Sequence, residues 1–436
     1  MEKVRIALSS LTSKVCGLLE KIEIHEQPVW TVVEQPGQAP HVALDPTRPA
    51  ISEIQAGLSL RLLGMPEYKS VALAIAEEPG LQDGIIIDVL GGLQKPEETN
   101  ITRALVANFL WGYLGEGTQL GWDQTRFDEA FDALIEELEK KSILFQLVVP
   151  LSNLKIEVDS IEFDEELRLA PASVEELERW LNPNDFLGVF GSGRPRWDNN
   201  YVDRPAVLHA RRNVVGSPPS KSFEPGRMPR FNIGPVITAL RLVMEVPTLP
   251  LFQEQRNEGL MTFGSGGTSW TRTAPPSPFQ IATLDEKHSN QVKAVWDALQ
   301  NSPNVDQLKL PLRRWESAIS RPNLEDSLID AWISLEALLL GGQTAELSFR
   351  AAVHLAEFLG TSGSERKQIF EEAKISYTWR SVIVHGSSSK RVAKKQSLNK
   401  TTEITLDRLR SALLRVLELP HRFDPSKLES DLLSRD

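Results

Sequence analysis

The sequence predicts an α+β multidomain protein. A helix-rich N-terminal region (residues 1–143) and a β-rich middle module (144–288) precede an all-α helical bundle (289–425) and a polar tail (426–436). Three observations predict this. At 436 residues, the chain exceeds what one hydrophobic core usually organises. Apolar spacing is helical at first, becomes short β-prone runs, and turns helical again from residue 289 onward. The C-terminal helical segments are joined mostly by short polar loops, which fold neighbouring helices antiparallel.

In the N-terminal region, residues 4–20 carry apolar side chains at helical spacing, and residues 30–33 form a short β-prone run. Residues 51–63, 101–114 and 127–140 read as helices, the last carrying Glu136, Glu137, Glu139 and Lys140. The β-branched run at residues 85–90 ends at Gly91-Gly92. No Gly-Lys-Ser/Thr follows, so it is read as a buried strand running into a turn, not as a phosphate loop.

The middle module shows strand-like runs at 144–149, 154–158 and 161–169. Ser173 and Glu176 have capping-box spacing, which predicts a short helix ending near Trp180. Residues 207–215 and 236–246 are further strand or helix candidates, separated by a Pro-rich basic loop over 217–230. Gly264-Ser265-Gly266-Gly267 lacks the strand-then-helix setting of a nucleotide fingerprint and is read as a turn.

In the C-terminal region, Asn323 precedes a stripe of Leu324, Leu328, Ala331, Trp332, Leu335, Leu338 and Leu339, closed by Gly341-Gly342. Residues 345–359 predict a second amphipathic helix stopped by Gly360. Ser364 is a candidate cap for a third, which leads into Ser376–Gly386, and residues 402–419 predict another. His354 falls on an apolar helix face, where a hydrogen-bonded core residue is expected.

Composition removes several function classes. The chain is 41% hydrophobic and 25% charged, ordinary for a globular protein. A net charge of -11 argues against a wholly nucleic-acid-binding surface. The single cysteine, Cys16, excludes a disulfide framework and a multi-thiolate zinc site, and fits a reducing compartment. The seven histidines are scattered, with no HExxH-type pair, so neither metal nor cofactor is expected. No secretory pattern opens the chain, and Asp330 and Glu336 interrupt the apolar run from Leu328 to Leu340. A cytoplasmic protein without membrane association is expected.

The stretch with most chemical character is Ser376–Gly386. Gly386 sits where a helix wants a left-handed C-cap, followed by Ser387-Ser388-Ser389. Arg380 and His385 are roughly 140° apart around a helix and about 7.5 Å apart along it. A permanent cation and an imidazole beside a helix end suit a phosphate. Arg204/His209 and Arg415/His421 have similar spacing, but Pro205 and Pro420 break their context. Between residues 373 and 402 there is no Asp or Glu, while Lys374, Arg380, Lys390, Arg391, Lys394, Lys395 and Lys400 make a local positive field. A solvated loop would show the same charges. Glu336, at the edge of the apolar stripe, either faces solvent or turns to the Arg380 helix and orients the guanidinium.

Ala331-Trp332-Ile333-Ser334-Leu335-Glu336, then Phe349-Arg350-Ala351-Ala352, then Tyr377 to Gly386 together resemble an Apea-like HEPN domain over residues 290–425. The resemblance implies a helical bundle that pairs into dimers, and many family members are metal-independent endoribonucleases, some in antiviral or toxin-type defence. By that resemblance Arg380 and His385 match the Arg-x4-His motif. Ser381 departs from the family, whose active members often carry Asn, Asp or His there.

The leading expectation is therefore RNA cleavage. His385 and Arg380 are the catalytic candidates with Glu336 beside them, Lys390, Arg391, Lys394 and Lys395 bind RNA, and the protein is a homodimer. The alternative is a non-catalytic nucleotide- or protein-binding scaffold in which Arg380 only holds phosphate.

Overall fold

The structure, a computed structural model, describes residues 1–21, 26–33, 41–49, 61–78, 81, 85–87, 93–94, 98–114, 120–140, 142–181, 205–215, 230–248, 250–251, 253–258, 262–263, 281–341, 346–386, 388–428 and 430. The helix expected over 51–63, the Gly91-Gly92 turn, the basic 217–230 loop and the 264–267 turn lie wholly or almost wholly outside that set.

In chain order the elements begin α1 (Glu2–Leu19), β1 (Glu26–Val33), β2 (His41–Pro49), α2 (Pro66–Ala76), β3 (Ile85–Ile87), β4 (Leu93–Gln94), α3 (Glu98–Tyr113) and α4 (Gln124–Lys140). There follow β5 (Ser142–Ile156), β6 (Ile161–Glu162), β7 (Leu167–Pro171), α5 (Val174–Leu181), β8 (Pro205–Val215), α6 (Gly234–Met244), β9 (Glu254–Glu258), β10 (Thr262–Phe263) and β11 (Ala282–Leu284). The C-terminal region is helical: α7 (Glu286–Asn301), α8 (Val305–Ser320), α9 (Leu324–Leu339), α10 (Leu347–Leu359), α11 (Gly363–His385), α12 (Lys390–Ala393) and α13 (Leu398–Glu418). The chain is thus mixed α+β with a helical C-terminal region. It divides into two compact units, Met1–Pro150 with Asp164–Phe231 and Pro250–Thr273, and Leu151–Phe163 with Asn232–Leu249 and Ala274–Asp436. The middle stretch 144–288 is shared between them.

In the first unit, Val4, Leu8, Leu11, Val15 and Leu19 recur along one face of α1 and are buried with Val71, Leu105 and Phe127 in one core. Phe127 stacks on Phe131 at 6.1 Å and meets Phe109 edge-on at 5.6 Å. β1 and β2 pair antiparallel, with a register shift between Gln27 and Val29. The shift falls on Pro28, which has no N–H to give a ladder. The two runs expected at 144–149 and 154–158 form one strand, β5, which passes a left-handed Asn153 (φ 57). Asn visits that conformation more readily than other residues with a Cβ. The run expected at 161–169 is split, because Asp164 Oδ1 accepts from the N–H groups of Glu166 and Leu167, both at 2.7 Å, and turns the chain. The capping box of α5 forms in both directions, with the Glu176 N–H giving to Ser173 Oγ and the Ser173 N–H to Glu176 Oε2.

In the second unit, the end of β5 pairs parallel with β11, Leu154–Ile156 against Ala282–Leu284. Pro235 opens α6, the position where a missing N–H costs nothing. The helices that carry the site are aligned by their hydrogen bonds. Ser327 Oγ gives to the Ala318 carbonyl, Ser334 Oγ to the Pro311 carbonyl, and Arg314 to Asp330, so α8 and α9 run antiparallel. Trp332 reaches Ser376 and Glu336 reaches Arg380, both 44 residues on, so α9 and α11 run parallel. Ser376 to Thr405 and Glu372 to Arg408 make α11 and α13 antiparallel. Buried Asn304 ties the α7–α8 corner to the end of α13, giving to the carbonyls of Val416 and His421 and accepting from the Phe423 N–H. His354 is buried, with Nδ1 2.8 Å from the Leu339 carbonyl oxygen.

Candidate functional site

The site is built on α11. Its N-cap is Ser362, not the expected Ser364: Ser362 Oγ accepts from the Glu365 N–H. The helix then runs unbroken to His385 and ends on Gly386, whose φ of 64° is the left-handed cap that Gly adopts without a Cβ penalty. Ile369, Ala373, Ser376 and Trp379 are buried at spacings of three and four, and fix which face α11 turns inward. Arg380, four residues past Ser376 and seven past Ala373, continues that face toward the end of the helix.

Opposite it, α9 presents Glu336, and the parallel alignment brings the two together. Arg380 Nη2 lies 3.3 Å from Glu336 Oε1 and 3.4 Å from Oε2. On its other side the guanidinium lies over the Tyr377 ring, 5.2 Å from its centre, and Nη1 gives a 3.4 Å hydrogen bond to the Tyr377 hydroxyl. Trp332 packs edge-on against Tyr377 at 5.0 Å and holds that ring in place. Both charged side chains are about three-quarters covered. The distances exceed the 2.7–2.9 Å usual for a charge-assisted bond. Glu336 Oε1 and Arg380 Nε are shielded from solvent without a hydrogen bond. Burial therefore outweighs the neighbouring cation, and the Glu336 carboxyl titrates above its ordinary range, with Arg380 opposing the shift.

His385 is the last residue of α11 and is exposed; its side chain makes no ion pair or hydrogen bond among the described residues. Lys390 and Arg391 lie on α12, and Lys394 and Lys395 on the turn after it, all four exposed. Val392 buries the inner side of α12, and Trp379 Nε1 gives to the Gln396 carbonyl at 3.0 Å. The basic turn is therefore pinned to the helix that carries Arg380. Lys400 is paired with Glu403 at 3.0 Å.

The sequence pointed to Arg380, His385, Glu336 and the four cations as site residues but gave Tyr377 no role there. Its signal was the spacing, since a residue three before an Arg shares its helix face. Chemically, the site offers a guanidinium held from two sides and an exposed imidazole on the next turn, beside a field of cations. No group of three or more His, Cys, Asp or Glu among the described residues is placed to hold a metal ion. No described helix is long and apolar enough to cross a membrane. No family model, curated protein or solved structure matches this chain.

Proposed function

We propose that residues 289–425 form a HEPN-type domain and that the protein is a metal-independent endoribonuclease, with Arg380 and His385 as its catalytic pair and Glu336 positioning the arginine. The observation that carries this reading is the Glu336–Arg380 contact at 3.3 Å. It holds the guanidinium between α9 and the Tyr377 ring, on the helix whose last residue is the exposed His385. The ribose 2′-hydroxyl is a nucleophile already inside the substrate, so the protein has to supply only proton transfer and charge stabilisation. His385 takes the proton as the 2′-oxygen attacks the adjacent phosphorus, and Arg380 stabilises the charge that grows on the phosphorane. The departing 5′-oxygen takes a proton, leaving a 2′,3′-cyclic phosphate and a 5′-hydroxyl end.

One site supplies one imidazole, whereas the reaction uses a base and an acid on opposite sides of the phosphate. A homodimer with the two Arg380/His385 pairs facing across a two-fold axis supplies the second. Val384, beside His385, is 52% exposed, an apolar residue in a charged neighbourhood that such an interface would cover. Lys390, Arg391, Lys394 and Lys395 bind the RNA backbone.

The test is incubation of the purified chain with RNA in excess chelator, reading for 2′,3′-cyclic phosphate ends. Cleavage that persists with chelator and falls well below the wild-type level when excess His385→Ala protein exchanges into the dimers is the expected result. Intact RNA under every condition would favour the scaffold reading, in which Arg380 only binds phosphate and Ser381 marks the lost activity.

A further inference from the structure

Beyond Arg380, α11 carries a second feature. At about 100° per residue, Phe370, Lys374, Tyr377 and Ser381 lie within roughly 60° of one another, and His385 is about 40° past Ser381. None of the five is buried. The stripe is about 22 Å long from Phe370 to His385. At its start, Phe349 of α10 meets Phe370 edge-on, with ring centres 5.8 Å apart and planes at 83°. The Lys374 ammonium stands 5.3 Å from the centre of the Phe370 ring. Phe349 is 53% exposed, so it forfeits much of the burial that normally justifies a phenylalanine. Two aromatic rings and a cation therefore open a stripe that ends at the imidazole, and from Ala373 on it runs through a segment, residues 373–402, that holds no acid.

We propose that Phe349, Phe370 and Lys374 form a subsite for single-stranded RNA, in which one nucleobase stacks on Phe349 and Lys374 meets the adjoining phosphate. The inference rests on the RNA reading above and adds to it where the strand lies and that it is unpaired. Stacking needs a free base face, which a duplex hides. It tolerates sequence, because every base has such a face. Glu371 and Glu372 precede Lys374, but Glu372 is already paired with Arg408, and the acid-free run that begins at Ala373 suits a polyanion better than a neutral apolar partner.

The probe is a fluorescent 2′-O-methyl oligoadenylate of about twelve nucleotides, within the span single-stranded sites occupy. It lacks the nucleophilic hydroxyl, so the wild-type chain cannot cut it. Anisotropy titration should show Phe349→Ala weakening binding about tenfold, on the scale of one lost stacking contact. Phe349→Leu, which keeps apolar bulk without a π face, should weaken it similarly, whereas Phe349→Tyr should retain affinity. Linear polyphosphate, an anion without bases, should bind Phe349→Ala and wild type alike. Unchanged oligoadenylate affinity in Phe349→Ala, an equal loss for polyphosphate, or a wild-type preference for duplex would overturn the subsite. If the wild-type chain still cleaves RNA in any of those cases, only the subsite falls. A wild-type chain that neither binds the oligomer nor cleaves RNA removes the nuclease reading and the subsite together.

Discussion

Trp332 and Glu336 sit one turn apart on α9 and reach α11 at the same offset of 44 residues, with opposite results. At the lower level everything is answered. Trp332, 1% exposed, gives Nε1–H to Ser376 Oγ at 2.8 Å, and Ser376 lies 2.6 Å from Thr405 Oγ1. Thr405 gives its own proton to the Thr401 carbonyl at 2.7 Å, so the Ser376 proton points to Thr405 and the chain of donors has one direction. At the upper level the Glu336–Arg380 contacts are long, and one atom of each partner is shielded without a bond. The same helix pair thus spends one turn on holding its own register and leaves the next with unused hydrogen-bonding capacity. A fully satisfied buried network rigidifies a core, whereas a half-satisfied one is costly and calls for another reason to exist.

The sharpest way to separate the two levels is to remove a side chain from each. Beside the upper level, His385→Ala should lower RNA cleavage by about 10²- to 10⁴-fold, the scale of positioned proton transfer. An exposed residue at a helix end should change folding stability by no more than about 0.5 kcal/mol. Single-turnover cleavage and urea denaturation, run on the same preparations, check both halves. Parallel loss of activity and stability would mean that His385 belongs to the fold.

At the lower level the pattern should invert. Ser376→Ala leaves the buried Trp332 N–H without an acceptor and should cost about 1–3 kcal/mol. RNA cleavage at a temperature where the variant stays folded should remain within a few-fold of wild type. A large catalytic loss there would show that the Trp332 level positions the site as well as the core.

What was legible in the sequence follows the range of the forces involved. The α9 stripe from Leu328 onward, the Asn323 cap and the left-handed Gly386 depend on neighbours within one turn, and all were readable, whereas Leu324, expected at the start of the stripe, is exposed in the first turn. Asn323 Oδ1 accepts from the Glu325 N–H at 2.8 Å, and Gly386 takes the conformation its position suggested. The cap was expected at Ser364 and falls at Ser362, because Glu365 stands three residues after Ser362, at capping-box spacing. The Asn153 turn inside β5 was missed because strand periodicity on either side of Pro150 reads as two elements. In the site, the residue types and the acid-free run were visible. Glu336's contact with Arg380 was one of two open alternatives, because it depends on a helix register set by Trp332 and Ser376, far apart in sequence.

The basic turn gives a smaller effect of a different kind. Lys394→Glu with Lys395→Glu should weaken RNA binding at low salt and flatten its salt dependence. If each lysine meets one phosphate of a single strand, the log–log slope should fall by about 1.4, at about 0.7 per contact. Binding titrations across a salt series check this, and an unchanged slope would move the RNA path off α12.

The smallest effect should come from Glu336→Gln, and its sign distinguishes a site from a structural pair. Burial raises the Glu336 carboxyl above its ordinary range, so over that window the native state holds a proton that the unfolded chain has released. The group's contribution to stability therefore falls as pH rises from the ordinary carboxylate range through the raised value, and the charged form is a net cost above it. Glutamine is nearly isosteric and never ionises. The variant should be modestly more stable than wild type at neutral pH, and the difference should close as pH falls to about 4. Cleavage should drop despite the added stability, because Arg380 loses the anion that orients it, the trade expected where a strained site serves a reaction. Urea midpoints across pH, paired with cleavage rates, test both signs. A wild-type chain that is the more stable at neutral pH would make Glu336–Arg380 a structural ion pair like the one Asp330 makes with Arg314 at 2.9 Å and Arg321 at 3.0 Å, and the upper level would then differ from the lower only in exposure.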